Sequence, residues 1–221
     1  MKTFSNVNPK SVSQAVKALS QPGKNAVIAG GGSDLLGMVK ERLIEPDVLV
    51  NLKTIPSLDK ITERGGEVRI GGLTSLAAVS DHPLIRSRYQ VLADAAASVG
   101  TPQIRNAGTI AGNVCQRPWC WYFRNGFPCY KNGGKTCFSV TGENEFHAIF
   151  GGGPSFIVHP SDTAPALVAL DAKFRIAGPP SAQPDRGVCA RSRKGRAHHR
   201  CCGFLRPAGE RSRARKRPGP R

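Results

Sequence analysis

The chain has little that would tie it to a membrane. No run of about 18 apolar residues occurs in it, so no spanning helix is expected. Its N-terminus, MKTFSNVNPK, has no apolar stretch of the kind a secretory signal needs, which points to the cytoplasm. Acidic residues are scarce, 15 against 32 Lys+Arg, giving a formal charge of +17 over 221 residues. That surplus is local. Residues 173–221 hold 15 Lys+Arg against 2 Asp+Glu, while the first 172 hold 17 against 13. A nucleic-acid binder could use such a tail through salt-dependent phosphate attraction. The tail lacks aromatics interleaved with its charges and any recognised nucleic-acid fold, so this is the weaker reading. Also missing are the GxGxxG and Walker patterns, and Cys120-x8-Cys129-x7-Cys137 is too open for a zinc ribbon.

What is present centres on Arg105 to Cys137 (RNAGTIAGNVCQRPWCWYFRNGFPCYKNGGKTC). Gly108 to Asn113, GTIAGN, is built of small residues, so a ligand could approach the main chain there. Four of the seven cysteines follow within 23 residues: Cys115, Cys120, Cys129 and Cys137. Trp119, Trp121, Tyr122 and Phe123 are interleaved with them. Without a secretory signal, grouped thiols more often bind metal than form disulfides. The spacing leaves iron–sulfur ligation, zinc and unpaired structural thiols all open. Arg117, Arg124, Lys131 and Lys135 would offset thiolate charge or form a solvated face. His82, His147 and His159 are isolated and read as structural.

Along the chain, residues 11–19 predict a helix with an apolar face at Val12, Ala15, Val16 and Leu19, capped by Ser11 and closed by Pro22-Gly23. Residues 26–29 and 47–52 read as buried strands joined through a helix over 35–43, the βαβ pattern of a small parallel sheet. Arg64-Gly65-Gly66 lies between two strand-like segments and reads as a hairpin. Short helices are expected at 74–80, 84–99 and 164–170, the last capped by Ser161 or Asp162, and a strand at 173–176. Residues 101–155 read as mostly irregular. Boundaries near Pro56 and Gly178 give regions 1–56, 57–178 and 179–221. The last is dominated by Arg, Pro, Gly and Ser and is expected to be disordered. Its excess of Arg over Lys fits a shifted reading frame after about Gly178, which sequencing the gene would test.

Residues 29–36, AGGGSDLL, place a glycine turn between a strand and a helix start, an arrangement suited to a pyrophosphate. Alone, this loop and GTIAGN each read more readily as plain turns, and Asp34 equally well as a favourable charge at a helix start. Two such loops in one chain point to an extended ligand, of dinucleotide length, bridging two subdomains.

Taken together, AGGGSDLL, IRNAGTIAGNVCQ, CWYFRNGFPC and HAIFGGGPSFIVHPSDTAPALVALDA closely resemble the FAD-binding medium subunit of the molybdenum hydroxylases. That family includes xanthine dehydrogenases, aldehyde oxidoreductases, carbon monoxide dehydrogenases and 4-hydroxybenzoyl-CoA reductase. The resemblance covers roughly residues 1–178. It implies an α+β, two-subdomain (PCMH-type) flavin-binding fold, with a small parallel βαβ sheet followed by a mixed or antiparallel sheet with helices. FAD would contact Ala29, Gly30, Gly31, Gly32, Ser33, Asp34, Leu35 and Leu36. Thr109, Ile110, Ala111, Gly112, Asn113 and Asp162 would complete the site. The chain would be an oxidoreductase subunit, relaying electrons from a [2Fe–2S] small subunit to an acceptor such as NAD, beside a molybdopterin-binding large subunit.

The branch carrying CWYFR resembles members with an additional [4Fe–4S] cluster, which implies Cys120, Cys129 and Cys137 as ligands. Ser155 stands where those members have a fourth cysteine, and a serine oxygen is a harder ligand for iron. Cys115 could complete the set, or the cluster could be absent. The family's C-terminal subdomain has no counterpart in this sequence, so weak or partial flavin loading is expected, and a truncated remnant is the alternative reading. A zinc-stabilised module is a further alternative.

Overall fold

A computed structural model describes residues 2–151, 153–178 and 188–189. They fall in one compact unit, Met1–Cys189. Most of the basic tail, and with it the expectations of disorder and of nucleic-acid binding, lies outside the described residues.

The N-terminal part is a three-stranded parallel sheet with strand order β1-β3-β2. Its strands are β1 (Ser5–Val7), β2 (Ala26–Ala29) and β3 (Val48–Asn51). Val48, Leu49 and Val50 of the central strand are all buried, as a strand covered on both faces requires. Asp47 aligns both outer strands. Its carbonyl accepts from Ser5 N (2.9 Å), and its carboxylate accepts from Lys2 Nζ (2.7 Å) and Asn25 N (2.9 Å). Helix α1 (Val12–Leu19) starts at Ser11, whose hydroxyl accepts from Gln14 N, and lays Ala15 and Ala18 on Val48, Val50 and Ile55. Helix α2 (Leu35–Lys40) links β2 to β3. It ends earlier than its apolar pattern suggests, at Arg42, which adopts a left-handed φ of 58°.

Next, β4 (Ile61–Arg64) and β5 (Glu67–Ile70) form the expected hairpin. Gly65 and Gly66 turn it with φ of 60° and 77°, the mirror-image turn that matches strand twist. Helices α3 (Leu76–Asp81), α4 (Pro83–Arg88) and α5 (Gln90–Ala97) follow. The helix expected over 84–99 is thus two, broken at Tyr89 (φ −137°, ψ 47°).

The segment expected to be irregular contains α6 (Pro102–Ala107), α7 (Ile110–Cys115) and α8 (Trp121–Arg124). Their brevity hid them, since a single turn and a half has no readable period. Thr101 and Thr109 cap α6 and α7, each accepting from a main-chain N–H three residues on. Helix α9 (Thr163–Ala169) and a two-stranded antiparallel sheet, β6 (Lys173–Phe174) with β7 (Val188–Cys189), complete the described chain. A second apolar core gathers Leu76, Val79, Ile85, Leu92, Ala96, Ile110 and Leu167, with Ile61, Val68 and Ile70 of the hairpin packed on it. Among the described residues, no helix is long and apolar enough to cross a membrane.

Candidate functional site

The two glycine loops touch. Gly31 lies so close to the carbonyl of Ala107 that a Cβ there would collide with it, and that Cβ would also come within 3.0 Å of Gly108 Cα. Gly30 faces the Thr109 hydroxyl, 3.4 Å from where its Cβ would be. The same hydroxyl accepts from Gly112 N (3.1 Å). Thr109 Oγ1 thus secures Gly112 N in the second loop and faces Gly30 of the first. Backbone bonds hold the second loop in place: Leu76 N to Gly108 O (2.9 Å), Ile110 N to Thr74 O (2.9 Å) and Ala111 N to Gly72 O (3.1 Å).

Within the expected site, Thr109, Ile110 and Asn113 turn their side chains into the protein, leaving Ala111 and Gly112 exposed. In the first loop Ser33 and Leu36 are exposed, while Ala29 to Gly32, Asp34 and Leu35 are half-buried. Gly32 has a φ of 81°, which a side chain would strain.

Asn113 belongs to a network that sequence reasoning missed. Its Oδ1 accepts from Ser161 Oγ (2.6 Å), Thr163 Oγ1 (2.7 Å) and Thr163 N (3.3 Å). Gln116 Nε2 donates to Pro160 O (2.7 Å). The HPSD turn is thereby fastened to GTIAGN. Ser161, not Asp162, supplies the side-chain cap of α9, accepting from Ala164 N (3.0 Å). Asp162 makes no cap bond and is exposed beside these residues.

Asp34 has a partner far along the chain. Its carboxylate accepts from Arg124 Nη2 (2.8 Å) and Arg117 N (2.8 Å), with the arginine side chain only 9% exposed and the aspartate 18%. Arg124 also donates to Pro118 O (2.9 Å) and Arg117 O (3.1 Å), and lies 4.3 Å from the ring centre of Trp119. Arg124 is thus neither a thiolate counter-charge nor part of a solvated face. Its partner is 90 residues away, beyond the reach of local pattern. Lys131 and Lys135 are exposed.

The Cys-rich segment folds around Tyr122, Phe127, Phe138 and His147, with ring centres 5.2 to 6.1 Å apart. Cys120 Sγ lies 3.2 Å from His147 Nε2. Cys137 Sγ meets Ser139 Oγ (3.1 Å) and Phe156 N (3.5 Å). Cys129 is buried and its backbone bridges to Thr136, while Cys115 is exposed. Burial disfavours the Cys137 thiolate, but donors from Phe156 and Ser139 outweigh it and hold the thiol below its ordinary value. Although Cys115 is exposed as a residue, the protein around its thiol partly desolvates it and pushes it up. Among the described residues, no group of three or more His, Cys, Asp or Glu side chains is placed to hold a metal ion.

Residues 2–183 match the family described as FAD binding domain in molybdopterin dehydrogenase. The chain is 41% identical over 106 residues to the carbon monoxide dehydrogenase medium chain of Hydrogenophaga pseudoflava, covering 48% of this chain and 37% of that protein. It is 36% identical over 175 residues to the aldehyde oxidoreductase FAD-binding subunit of Escherichia coli, covering 77% and 54%. A solved carbon monoxide dehydrogenase from Hydrogenophaga pseudoflava aligns with a TM-score of 0.50 at 38% identity, over 52% of this chain and 40% of that one. The chain thus spans about half, or less, of the length of these curated relatives. The fold is the α+β arrangement expected, with a parallel sheet first and antiparallel strands with helices after it. The match of residues 2–183 makes the chain a member of the FAD-binding-domain family of molybdopterin dehydrogenases.

Proposed function

We propose that the chain is the FAD-holding part of a medium subunit in a molybdenum hydroxylase, an oxidoreductase component of the cytoplasm. The observation that carries this reading is the packing of Gly31 against Ala107 and Gly108, which puts two small-residue loops side by side. The residues present fit a dinucleotide: Gly31 and Gly112 lack side chains where Ala107 and Thr109 leave no room for one, so the loops sit close enough for one ligand to reach both. Ala29 to Leu36 would hold the diphosphate. Thr109 to Asn113 would line the flavin side, with Asp162 at the edge. Thr109, Ile110 and Asn113 act through the backbone they position, because their side chains are buried.

Bound FAD would supply the junction between one-electron carriers and a two-electron acceptor. On this reading electrons arrive from [2Fe–2S] centres of a small subunit and leave to an acceptor such as NAD. A molybdopterin-binding large subunit carries out the substrate chemistry. A match of 175 residues in a chain of 221 must cross the Cys-rich segment, which favours the aldehyde oxidoreductase branch. A [4Fe–4S] cluster on Cys120, Cys129 and Cys137 is a separate matter. The thiols as placed do not gather into a ligand set.

Titrating the purified full chain with FAD tests the proposal. Quenching of flavin fluorescence on binding is expected, and Gly31→Val, which forces the loops apart, should abolish it. A folded wild-type chain that takes up no FAD would overturn the reading.

A further inference from the structure

We propose that Arg124 is the charge partner that makes the Gly30–Asp34 loop compatible with an anionic dinucleotide, by neutralising Asp34 from within the Cys-rich segment. This rests on the FAD reading above and assigns a role to two residues within it. Asp34 follows the glycine turn after Ser33 and stands at the N-cap of α2, yet its side chain makes no cap bond. A free carboxylate there would repel a diphosphate arriving at the same loop. Instead, both of its oxygens are occupied, one by the Arg124 guanidinium and one by Arg117 N–H.

Arg124 is held for this task by more than the ion pair. Two main-chain carbonyls, Pro118 O and Arg117 O, accept from its fork, and Trp119 lies against its face. A lysine could carry the charge but not the fork or the stacked plane. The Cys-rich segment flanks α2 at both ends. Asp34 meets Arg124 at the start, and Glu41, Arg42 and Leu43 at the far end border a cavity of about 970 Å³ with Trp119 and Trp121. The segment therefore sets the charge of the loop as well as its position, and Arg124 is a positioning residue rather than a ligand contact.

The test is FAD affinity of the full chain in wild type, Arg124→Met, Asp34→Asn and the double variant, with the melting temperature of each flavin-free protein. Arg124→Met is expected to weaken FAD binding roughly tenfold, the order for one uncompensated charge near a phosphate at a partly screened site. Asp34→Asn is expected to tighten it, because Arg124 is then left with a free positive charge. The double variant should recover most of the loss seen in Arg124→Met. A merely structural pair would lower melting temperatures without this pattern of opposite signs and rescue. Arg124→Met binding FAD as tightly as wild type, or Asp34→Asn binding more weakly, would overturn the proposal. Should Arg124→Met fail to fold, Asp34→Asn against wild type decides. A wild-type chain that binds no FAD defeats the underlying reading, and the proposal with it. Uptake by wild type with the wrong signs in the variants defeats the proposal alone.

Discussion

Oδ1 of Asn113 accepts from three donors on the HPSD turn and the start of α9, and the residue is 7% exposed. Removing that acceptor leaves the buried hydroxyls of Ser161 and Thr163 with only their long mutual contact (3.4 Å) to donate into, and takes the acceptor from Thr163 N. Asn113→Ala should therefore destabilise the fold by about 2–4 kcal/mol, read as a lower urea midpoint at unchanged slope. The cysteines give a second expectation. Cys137 is held below, and Cys115 above, the ordinary thiol value. The thiolate is the nucleophile, so as pH rises alkylation of Cys137 should set in before that of Cys115. Peptide mapping after timed iodoacetamide treatment across a pH series would show the order, and equal profiles would contradict it. Asn113 and Asp34 also mark where sequence reasoning stops at this scale. Both stand in motifs that read as ligand contacts, but their side-chain partners come from segments 50 and 90 residues away.

The larger elements were legible because their signals are local. The βαβ order, the hairpin around Gly65-Gly66, and α1 with its Ser11 cap each follow from periodicity, turn chemistry or capping within a dozen residues. Strand β1 was not legible: Ser5–Val7 is three residues long, largely exposed, and defined by its pairing to β3. Helices α6 to α8 were missed for the same reason of length, although the threonine caps of two were there to read. The hairpin offers a direct test. Gly65 and Gly66 both take positive φ, so Gly65→Ala should cost about 1–2 kcal/mol in chemical denaturation. A neutral result would mean that the turn is not the mirror-image type.

At the scale of the whole molecule there are two apolar cores, and Leu58, packed on the first, accepts a backbone bond from Leu73 N (2.8 Å). The Cys-rich segment leaves large apolar side chains open to water, with Trp119 67% and Phe150 91% exposed. If these side chains form one patch, it would favour association of the isolated chain. The isolated chain is expected to bind a hydrophobic dye and to sediment in a concentration-dependent way. Ile149→Ser with Phe150→Ser should reduce both effects, and an unchanged sedimentation profile would place the contact elsewhere.

The contact of Gly31 with Ala107 also has a consequence for synthesis. Ala107 leaves the ribosome roughly 75 residues after Gly31, which at ordinary elongation rates is a delay of about 4–15 seconds. Through that interval the nascent N-terminal sheet can close on its own core, but its glycine turn has nothing to lean on. If the two loops hold FAD as proposed, newly made chains would become able to capture it only once α6 has emerged.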